Sequence, residues 1–397
     1  MRKLFSLSHL SAGFVAVLVG YTSSAVIIFQ AAAAAGASAE QISSWLWALG
    51  IGMGLTSIGL SLYYRSPILT AWSTPGAALL VTGLSGIPMS EAIGSFLFCS
   101  LLITVCGITG WFEKVMQYVP QSLASAMLAG VLLQFGLNLF ESLQSQLLLV
   151  GVMLATYLIS RDLFPRYIIP LALTAGLGVA AIEGLLKLEN LSWQLAKPVL
   201  MMPSFSLSAL IGVGIPLFIV TMASQNVPGI AVLRANGYQT PASPLISWTG
   251  FTGFLLAPFG GFSFNLAAIT AAICMGKEAD PDPDKRYLAS IWAGMFYLLT
   301  GLFGATVAGL FAAFPAELVM AIAGLALLGT IGNSLATSLA MEDGREAALI
   351  TFLVTASGLS LMGIGSAFWG LLLGLLAYNL RRIPKLLSRD KLSVKAN

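Results

Sequence analysis

The residues of this chain that are best suited to bind a ligand are polar but uncharged. Ser224, Gln225 and Asn226 are consecutive within the run Thr221–Gly229, which ends in a Pro-Gly pair. On a helix the three side chains point in different directions, and the proline favours local unwinding that frees backbone carbonyl groups. The run can therefore hydrogen-bond a small molecule, but it contains no side chain that titrates near neutral pH.

A second candidate site is an interrupted helix between Pro67 and Gly83. A helix that starts at Ser73 or Thr74, with Pro75 in its first turn, satisfies the residue preferences of a helix N-terminus. About ten residues then remain before Gly83, which is half of the length that crosses a membrane. The sequence therefore predicts a half-helix that begins near the middle of the bilayer.

A stretch in the second half of the chain repeats this pattern. The turn-forming sequence Pro258–Gly261 precedes Ser263, which we expect to cap a helix over residues 265–274. The N-terminus of a half-helix carries partial positive charge and unpaired N–H groups, and paired half-helices mark the binding sites of many transporters. Two such ends would attract an anion.

The predicted ligand site combines these elements with the middle of the first apolar segment. There, Tyr21-Thr-Ser-Ser24 is the counterpart of the run around Ser224, and Tyr21 and Phe264 would supply flat apolar walls for an aromatic ligand. The candidate substrate-binding residues are Tyr21, Ser23, Ser73, Thr74, Gly76, Ser224, Gln225, Asn226, Ser263, Phe264 and Asn265.

The elements that position these residues are membrane-spanning helices. The chain has 397 residues, of which 57% are hydrophobic and 9% charged, and its mean hydropathy is +0.90. Soluble domains carry about 25% charged residues, so a water-soluble fold is excluded. Continuously apolar windows favour helices over a β-barrel. The charge-free windows are 4–39, 41–64, 66–90, 92–112, 115–140, 142–160, 167–182, 198–233, 235–276, 287–316, 318–341 and 347–380.

Two of the twelve windows are too long for one span and are expected to fold back. Window 235–276 would turn at Pro258–Gly261, and window 347–380 at Gly363–Gly365. The sequence therefore predicts an all-α polytopic membrane protein with fourteen spans. The first apolar run is too long for a cleaved signal peptide, and we take it as a retained span 1.

The basic residues support this number of spans and predict an orientation. With the N-terminus in the cytoplasm, seventeen of the nineteen Lys and Arg residues fall on the cytoplasmic side, and Lys187 and Lys197 fall outside. Both termini are then cytoplasmic. The net charge of +3 reflects this bias and does not indicate a nucleic-acid partner.

Seven spans in each half imply that the halves insert in opposite orientations. Residues 1–195 would hold spans 1–7 and residues 196–397 spans 8–14. Three weak matches support a repeat: residues 72–78 with 262–268 at an offset of 190, Ala129 with Ala323 at 194, and Ser23 with Ser224 at 201.

Groups that carry enzyme or metal chemistry are missing from the predicted spans. No charged residue falls near the middle of a span, and Cys99, Cys106 and Cys274 have no paired spacing, so we expect no enzyme, cofactor or metal site. The sequence Asp280–Asp284 superficially resembles a calcium loop, but Lys285 stands where that loop needs glycine. We interpret it as a solvated turn, and His9 as an interfacial residue without a special role.

The chain resembles the benzoate:proton symporter (BenE-type) family of bacterial inner-membrane proteins over nearly its whole length. The most specific stretches are Leu69–Leu80, Val220–Ile230 and Thr355–Gly370, after the opening Ala12–Tyr21. The family is distantly similar to uracil/xanthine permeases and sulfate transporters. This resemblance implies import of an aromatic carboxylate with protons, by a core domain (spans 1–4 and 8–11) that moves against a gate domain (spans 5–7 and 12–14). It also implies a substrate site between spans 1, 3, 8 and 10.

Several alternatives stay open at this point. Fold does not fix substrate, so a nucleobase or inorganic-anion transporter, or an anion channel, is possible on the same fold. Uracil permease relatives carry functional glutamates on spans 8 and 10, where this chain has Gln225, Asn226 and Asn265. A proton could therefore travel on the substrate or on an end-of-span carboxylate. The spacings Gly50-xxx-Gly54 and Gly370-xxx-Gly374 permit close helix contacts within one chain or in a homodimer.

Overall fold

The structure is a computed structural model, and it describes residues 6–112, 120–164, 168–187, 193–277, 279–359, 361 and 366–393. Helices occur in every predicted apolar window. Those of the first half are α1 (Leu7–Ala34), α2 (Ala39–Tyr64), α3 (Thr74–Gly83), α4 (Met89–Ile108), α5 (Gln121–Ser145), α6 (Leu147–Leu163) and α7 (Ile168–Ile182). Those of the second half are α8 (Leu207–Arg234), α9 (Ala242–Leu256), α10 (Ile269–Met275), α11 (Tyr287–Leu302), α12 (Gly304–Ala312), α13 (Ala316–Leu339), α14 (Arg345–Ala356) and α15 (Ser366–Ser393).

Length and apolarity qualify a smaller number of these helices as spans. Five described helices are long and apolar enough to cross a membrane alone, and up to seven if each bent pair counts as one span. The bent pairs are the two parts of α1, and the segment that runs through α11 into α12. The protein is thus a largely helical, multi-pass type of fold, and the fourteen-span arrangement stays a prediction.

The fold-back predicted in window 235–276 is confirmed. After α9 the chain makes a 3-10 turn at Ala257–Phe259, and Gly260 follows with a φ of 92°. Glycine is required there, because a Cβ atom would lie 1.8 Å from Cδ1 of Trp45. The second predicted turn, Gly363–Gly365, lies outside the described residues.

Two short strands lie next to the half-helices. β1 (Thr70–Trp72) precedes α3, and β2 (Phe264–Leu266) precedes α10. They pair antiparallel, with Ala71 opposite Asn265. Extended backbone within a membrane protein needs internal hydrogen-bond partners, and each broken segment supplies them to the other.

The half-helix of the second half begins later than the sequence predicted. Ser263 does not cap it: this residue has a φ of 41°, the strand follows, and α10 starts at Ile269. Thr70 and Phe264, the first strand residues, are 194 residues apart. The offset of 190 in the sequence comparison was therefore wrong by four residues, because it matched the Trp72 stretch to the turn before β2.

Helices of each half of the chain pack against helices of the other half. α2 of the first half packs on α11 of the second, while α9 of the second packs on α4 of the first. α5 packs on α13, and these helices start at Gln121 and Ala316, 195 residues apart. Reciprocal contacts of this kind are what a two-fold repeat requires.

His9 is a buried residue with a specific partner, contrary to our interpretation from sequence. Its side chain is 2% exposed, and Nε2 lies 2.8 Å from Oδ2 of Asp280. Arg286 donates from its side chain to the backbone oxygens of Asp280 and of Met275, the last residue of α10. The turn after α10 is thus tied to the start of α1. At the exposed end of this turn, a hydrogen bond from the Lys285 side chain holds the pKa of the Asp282 carboxyl below its usual range.

Both glycine pairs singled out in the sequence serve contacts inside one chain. A Cβ atom on Gly50 would lie 2.4 Å from Cα of Gly301, and one on Gly54 would lie 2.8 Å from the backbone oxygen of Gly294. α2 and α11 therefore approach closely through small residues, as membrane helices do. Gly370 and Gly374 meet α14 in the same way. These motifs give no support to a homodimer, which stays an untested prediction.

We expect Gly50→Ala to destabilise the protein by about 1–3 kcal/mol, because the methyl group overpacks the α2–α11 contact. Gly59→Ala on the same helix is the matched control, since a Cβ atom there meets nothing within 4 Å. Thermal unfolding in detergent compares the two variants. Equal stability of both would contradict the close contact.

Candidate functional site

The outer edge of β1 is held by side chains of α2. Ser57 Oγ accepts a hydrogen bond from the Thr70 N–H at 3.0 Å, and the Thr70 hydroxyl lies 2.6 Å from Thr56 Oγ1. Ser61 donates to the backbone oxygen of Ile68 at 2.7 Å. All of these residues are buried. α2 therefore supplies the hydrogen bonds that a third strand would give in a larger sheet.

The outer edge of β2 is held by α8. Asn226 Oδ1 accepts the N–H of Leu266 at 3.0 Å, and the asparagine is fully buried. It lies in a π-helical turn, Met222–Asn226, so α8 departs from regular α-helix at the polar run. Such turns are frequent at functional sites. The unwinding predicted at Pro228 and Gly229 is wrong, because α-helix continues through both residues.

The first turn of α3 uses most of its own N–H groups. Ser73 Oγ accepts from the Gly76 N–H at 3.0 Å, and the Ser73 N–H donates to the backbone oxygen of Ser263 at 3.1 Å. Pro75 carries no N–H. The described hydrogen bonds therefore leave the N–H of Thr74 for a ligand at this helix end.

A cavity of about 430 Å³ lies where the two half-helices begin. Thr74 and Pro75 of α3 line it, and so do residues 267–270, which lead into α10. The other walls come from α1, α8 and α11 and from α6, α7 and α13. The cavity extends toward the end at which α6 passes into α7, since Tyr157 and residues 168–170 are part of its wall.

An aromatic cluster forms one wall of this cavity. Trp72 and Tyr297 line it, and Tyr21 packs edge-on behind Trp72, with ring centroids 4.8 Å apart. The Trp72 indole N–H donates to Ser24 Oγ at 2.8 Å, so its orientation is fixed. A flat apolar ring could pack against this wall.

The polar groups of the cavity are hydroxyls and amides. Its polar lining residues are Ser24, Thr74, Ser224, Gln225, Thr270, Tyr157 and Tyr297, and none of the described residues that line it is Asp, Glu, Lys, Arg or His. The described residues also contain no group of three His, Cys, Asp or Glu that could hold a metal ion. Hydroxyl and amide groups of this kind can bind and orient a small molecule.

Comparisons with known proteins show the family of this chain. A family model described as benzoate membrane transport protein matches residues 3–380. The chain belongs to this family. Its relatives include the inner membrane protein YdcO of Escherichia coli, 52% identical over 95% of this chain and 97% of the relative. The benzoate membrane transport protein of Acinetobacter baylyi is 42% identical over 97% of this chain and 98% of the relative.

Solved structures support the fold at low sequence identity. The transmembrane domain of the cyanobacterial bicarbonate transporter BicA matches with a TM-score of 0.62 and 13% identity, over 94% of this chain and 97% of that one. SLC26A9 matches with a TM-score of 0.64 and 12% identity, over 95% of this chain. This chain spans 66% of the SLC26A9 chain. The benzoate transport family member is thus a multi-pass membrane protein whose fold resembles those of BicA and SLC26A9.

Three of the predicted site residues line the cavity of this family member: Thr74, Ser224 and Gln225. Tyr21, Ser73 and Gly76 lie directly behind its wall, where they hold Trp72 and cap α3. The side chain of Ser23 lies outside the part of the structure that is described. The remaining predicted residues are buried in the scaffold and do not line the cavity; they are Asn226, Ser263, Phe264 and Asn265.

Sequence reasoning missed several lining residues. Thr270 was overlooked because α10 was placed four residues too early. Tyr297 and Tyr157 lie on α11 and α6, and nothing in the local sequence distinguishes them from tyrosines that face lipid. Phe264 instead packs against the backbone of Gly52 and Gly253, where a Cβ atom would lie 2.4 and 3.3 Å from its ring.

We expect Asn226→Ala to destabilise the protein by about 1–3 kcal/mol, because the buried Leu266 N–H loses its acceptor. Gln134→Ala is the control, since Gln134 bonds only to Asn138 in the described contacts, on an exposed face of α5. Thermal unfolding in detergent measures both. A loss of stability that is no larger for Asn226→Ala would mean that this bond does not hold the strand.

Proposed function

We propose that this protein is a secondary transporter that imports an aromatic carboxylate, with benzoate as the substrate. The observation that carries the proposal is the cavity at the half-helix ends, with its aromatic wall and uncharged polar groups. A relative with 42% identity is named a benzoate membrane transport protein. A cavity of roughly 150 Å³ holds benzene in another protein, so about 430 Å³ accommodates a benzoate with some water.

In the proposed complex the ring packs on Trp72 and Tyr297. The carboxylate accepts from the Thr74 N–H at the start of α3, a helix of ten residues whose dipole favours an anion there. Gln225, Ser224 and Thr270 supply further donors. The aromatic wall favours an aromatic acid over a small inorganic anion, and the hydrogen-bond donors favour a carboxylate over a neutral nucleobase.

We further propose that the proton is carried by the substrate. The described residues of the cavity wall include no carboxylate or histidine. Glu91, an end-of-span candidate, accepts a hydrogen bond from Ser206 in a separate contact that joins α4 to the start of α8. A proton that the bound benzoate takes up from water on the side of entry would neutralise its carboxylate, which lowers the cost of burying the substrate during transport.

The proposed architecture has fourteen spans in two inverted repeats, with both termini in the cytoplasm of a bacterial inner membrane. α3 and α10 with their strands form spans 3 and 10, and α11 with α12 forms span 11. Spans 1–4 and 8–11 form the core, and spans 5–7 and 12–14 form the gate. The reciprocal packing of α2 on α11 and α4 on α9 supports this arrangement.

Alternating access follows from this division. The cavity has core residues on one side and gate residues of α6, α7 and α13 on the other. In the proposed topology the α6–α7 end is cytoplasmic, so this conformation is open toward the cytoplasm. Movement of the core against the gate would open the same site to the outside.

Uptake of labelled benzoate into proteoliposomes tests the function. We expect accumulation that depends on an imposed inward proton gradient and is not displaced by uracil or sulfate. Uptake with no gradient dependence would reject proton coupling, and displacement by uracil or sulfate would favour the other transporter classes. Absence of stimulation by benzoate inside the vesicles would favour a channel.

We expect Gln225→Ala to raise the KM for benzoate about tenfold, the loss of roughly one hydrogen bond to a charged group. The amount of protein in the membrane should not change, because Gln225 lines the cavity and is only half-buried. Asn236→Ala, at the exposed end of the same helical segment, is the control. Unchanged uptake by Gln225→Ala would remove this residue from the site.

A further inference from the structure

A second cavity, of about 730 Å³, lies at the end where α1 passes into α2. We call it the outer cavity, because the proposed topology puts this end outside the cell. Its residues come from α1, α2, α12, the segment before α8 and one position of α13. They include Phe29, Ser43, Lys197, Ala305, Phe311 and Val319.

The cavity at the half-helix ends, which we call the central cavity, lies along the same two helices as the outer cavity. On α1, residues 19, 20 and 24 line the central cavity, whereas residues 26, 29 and 33 line the outer one. On α13, residues 325–327 and 329 line the central cavity and Val319 lines the outer one. The nearest lining positions of the two cavities are residues 24 and 26 on α1 and residues 319 and 325 on α13, which at 1.5 Å per residue are about 3 Å and about 9 Å apart.

A thin apolar layer separates the two cavities. Ala25 of α1 lies between Ser24, which lines the central cavity, and Val26, which lines the outer one. Ile322 of α13 lies between the lining positions 319 and 325, and both Ala25 and Ile322 are at most 1% exposed. α1 and α13 contact each other directly, so these apolar side chains exclude water and ions from the space between the two cavities.

The walls of the outer cavity suit an aromatic anion. Phe29 and Phe311 lie with ring centroids 4.8 Å apart and offer an apolar surface. Ser43 Oγ is buried and has no hydrogen-bond partner among the described residues. Lys197 supplies a positive charge, and Glu40 supplies a negative one at the same rim.

The chain segment that carries Lys197 is fixed in place. The N–H of Ala196 donates to the backbone oxygen of Leu302 at 2.8 Å, and that of Val199 donates to Ser44 Oγ at 2.9 Å. These bonds tie the chain on either side of Lys197 to α11 and α2. The lysine therefore stays at the rim of the cavity whatever its side chain does.

We propose that the outer cavity is the first binding station for an aromatic carboxylate that enters from outside. The ring packs on Phe29 and Phe311, and the carboxylate faces Lys197. Glu40 opposes the anion and keeps its binding weak, so that the substrate moves on when the apolar layer between the two cavities opens. This inference rests on the proposed function.

The kinetics of benzoate uptake by charge variants test the station. We expect Lys197→Gln to raise the KM about fivefold and Glu40→Gln to lower it by a similar factor, both with unchanged kcat, because one unit charge near a surface contributes about this much. Both effects should shrink in high salt. Lys187→Gln is the matched control: Lys187 is nearby, where its N–H bonds to Ala313, but it does not line the cavity.

KM shifts of the same sign for Lys197→Gln and Glu40→Gln would overturn the binding station, and so would a Lys197→Gln effect equal to that of Lys187→Gln. Benzoate uptake by the unchanged protein would still uphold the proposed function in either case. If the unchanged protein takes up no benzoate, the proposed function itself has failed.

Thiol labelling separates substrate from lipid as the occupant. The described native cysteines are buried, so we expect Ala305→Cys to react with a membrane-impermeant thiol reagent added outside and benzoate to protect it. Leu310→Cys, on the exposed face of the same helix, should not be protected. A cavity filled by lipid chains would leave Ala305→Cys unreactive or unprotected, and would overturn the station.

Discussion

The structure depends on how two broken membrane segments satisfy their backbone hydrogen bonds. An unwound segment within a membrane exposes N–H and C=O groups, and each costs several kcal/mol if it stays unpaired. β1 and β2 pair with each other, and their outer edges are completed by Ser57 of α2 and Asn226 of α8. This pairing fixes the starting points of both half-helices. Asn226, which the sequence suggested as a ligand contact, is one of the residues that hold this pair of strands in place.

The proposed site relies on groups without a formal charge among the residues that the structure describes. Backbone dipoles, hydroxyls and one amide surround the cavity, and the aromatic wall is held by the bond from Trp72 to Ser24. Fixed dipoles can stabilise a carboxylate without a permanent buried charge, which would be costly whenever the site is empty. The described lining residues include no carboxyl or imidazole group that would hold the coupled proton in place of the substrate. We therefore assign the proton to the substrate.

Much of the helical framework could be predicted from the sequence, because long apolar windows and Pro-Gly turns act locally. The break before α3 and the turn at Gly260 are examples. The start of α10 could not be predicted, because the strand that delays it exists only through pairing with a segment 194 residues away. The buried pair of His9 and Asp280 was missed for the same reason. Thr74, Ser224 and Gln225 were found from local signals, whereas Thr270 and Tyr297 face the cavity only because of tertiary packing.

The most direct test of the account is an experimental structure with bound 4-bromobenzoate, in which anomalous scattering locates the bromine. We expect the ligand between Thr74 and Thr270, with its carboxylate at the start of α3 and its ring against Trp72 and Tyr297. Density only at another site, with none at the start of α3 at a ligand concentration that saturates transport, would contradict a substrate site built on the paired half-helices.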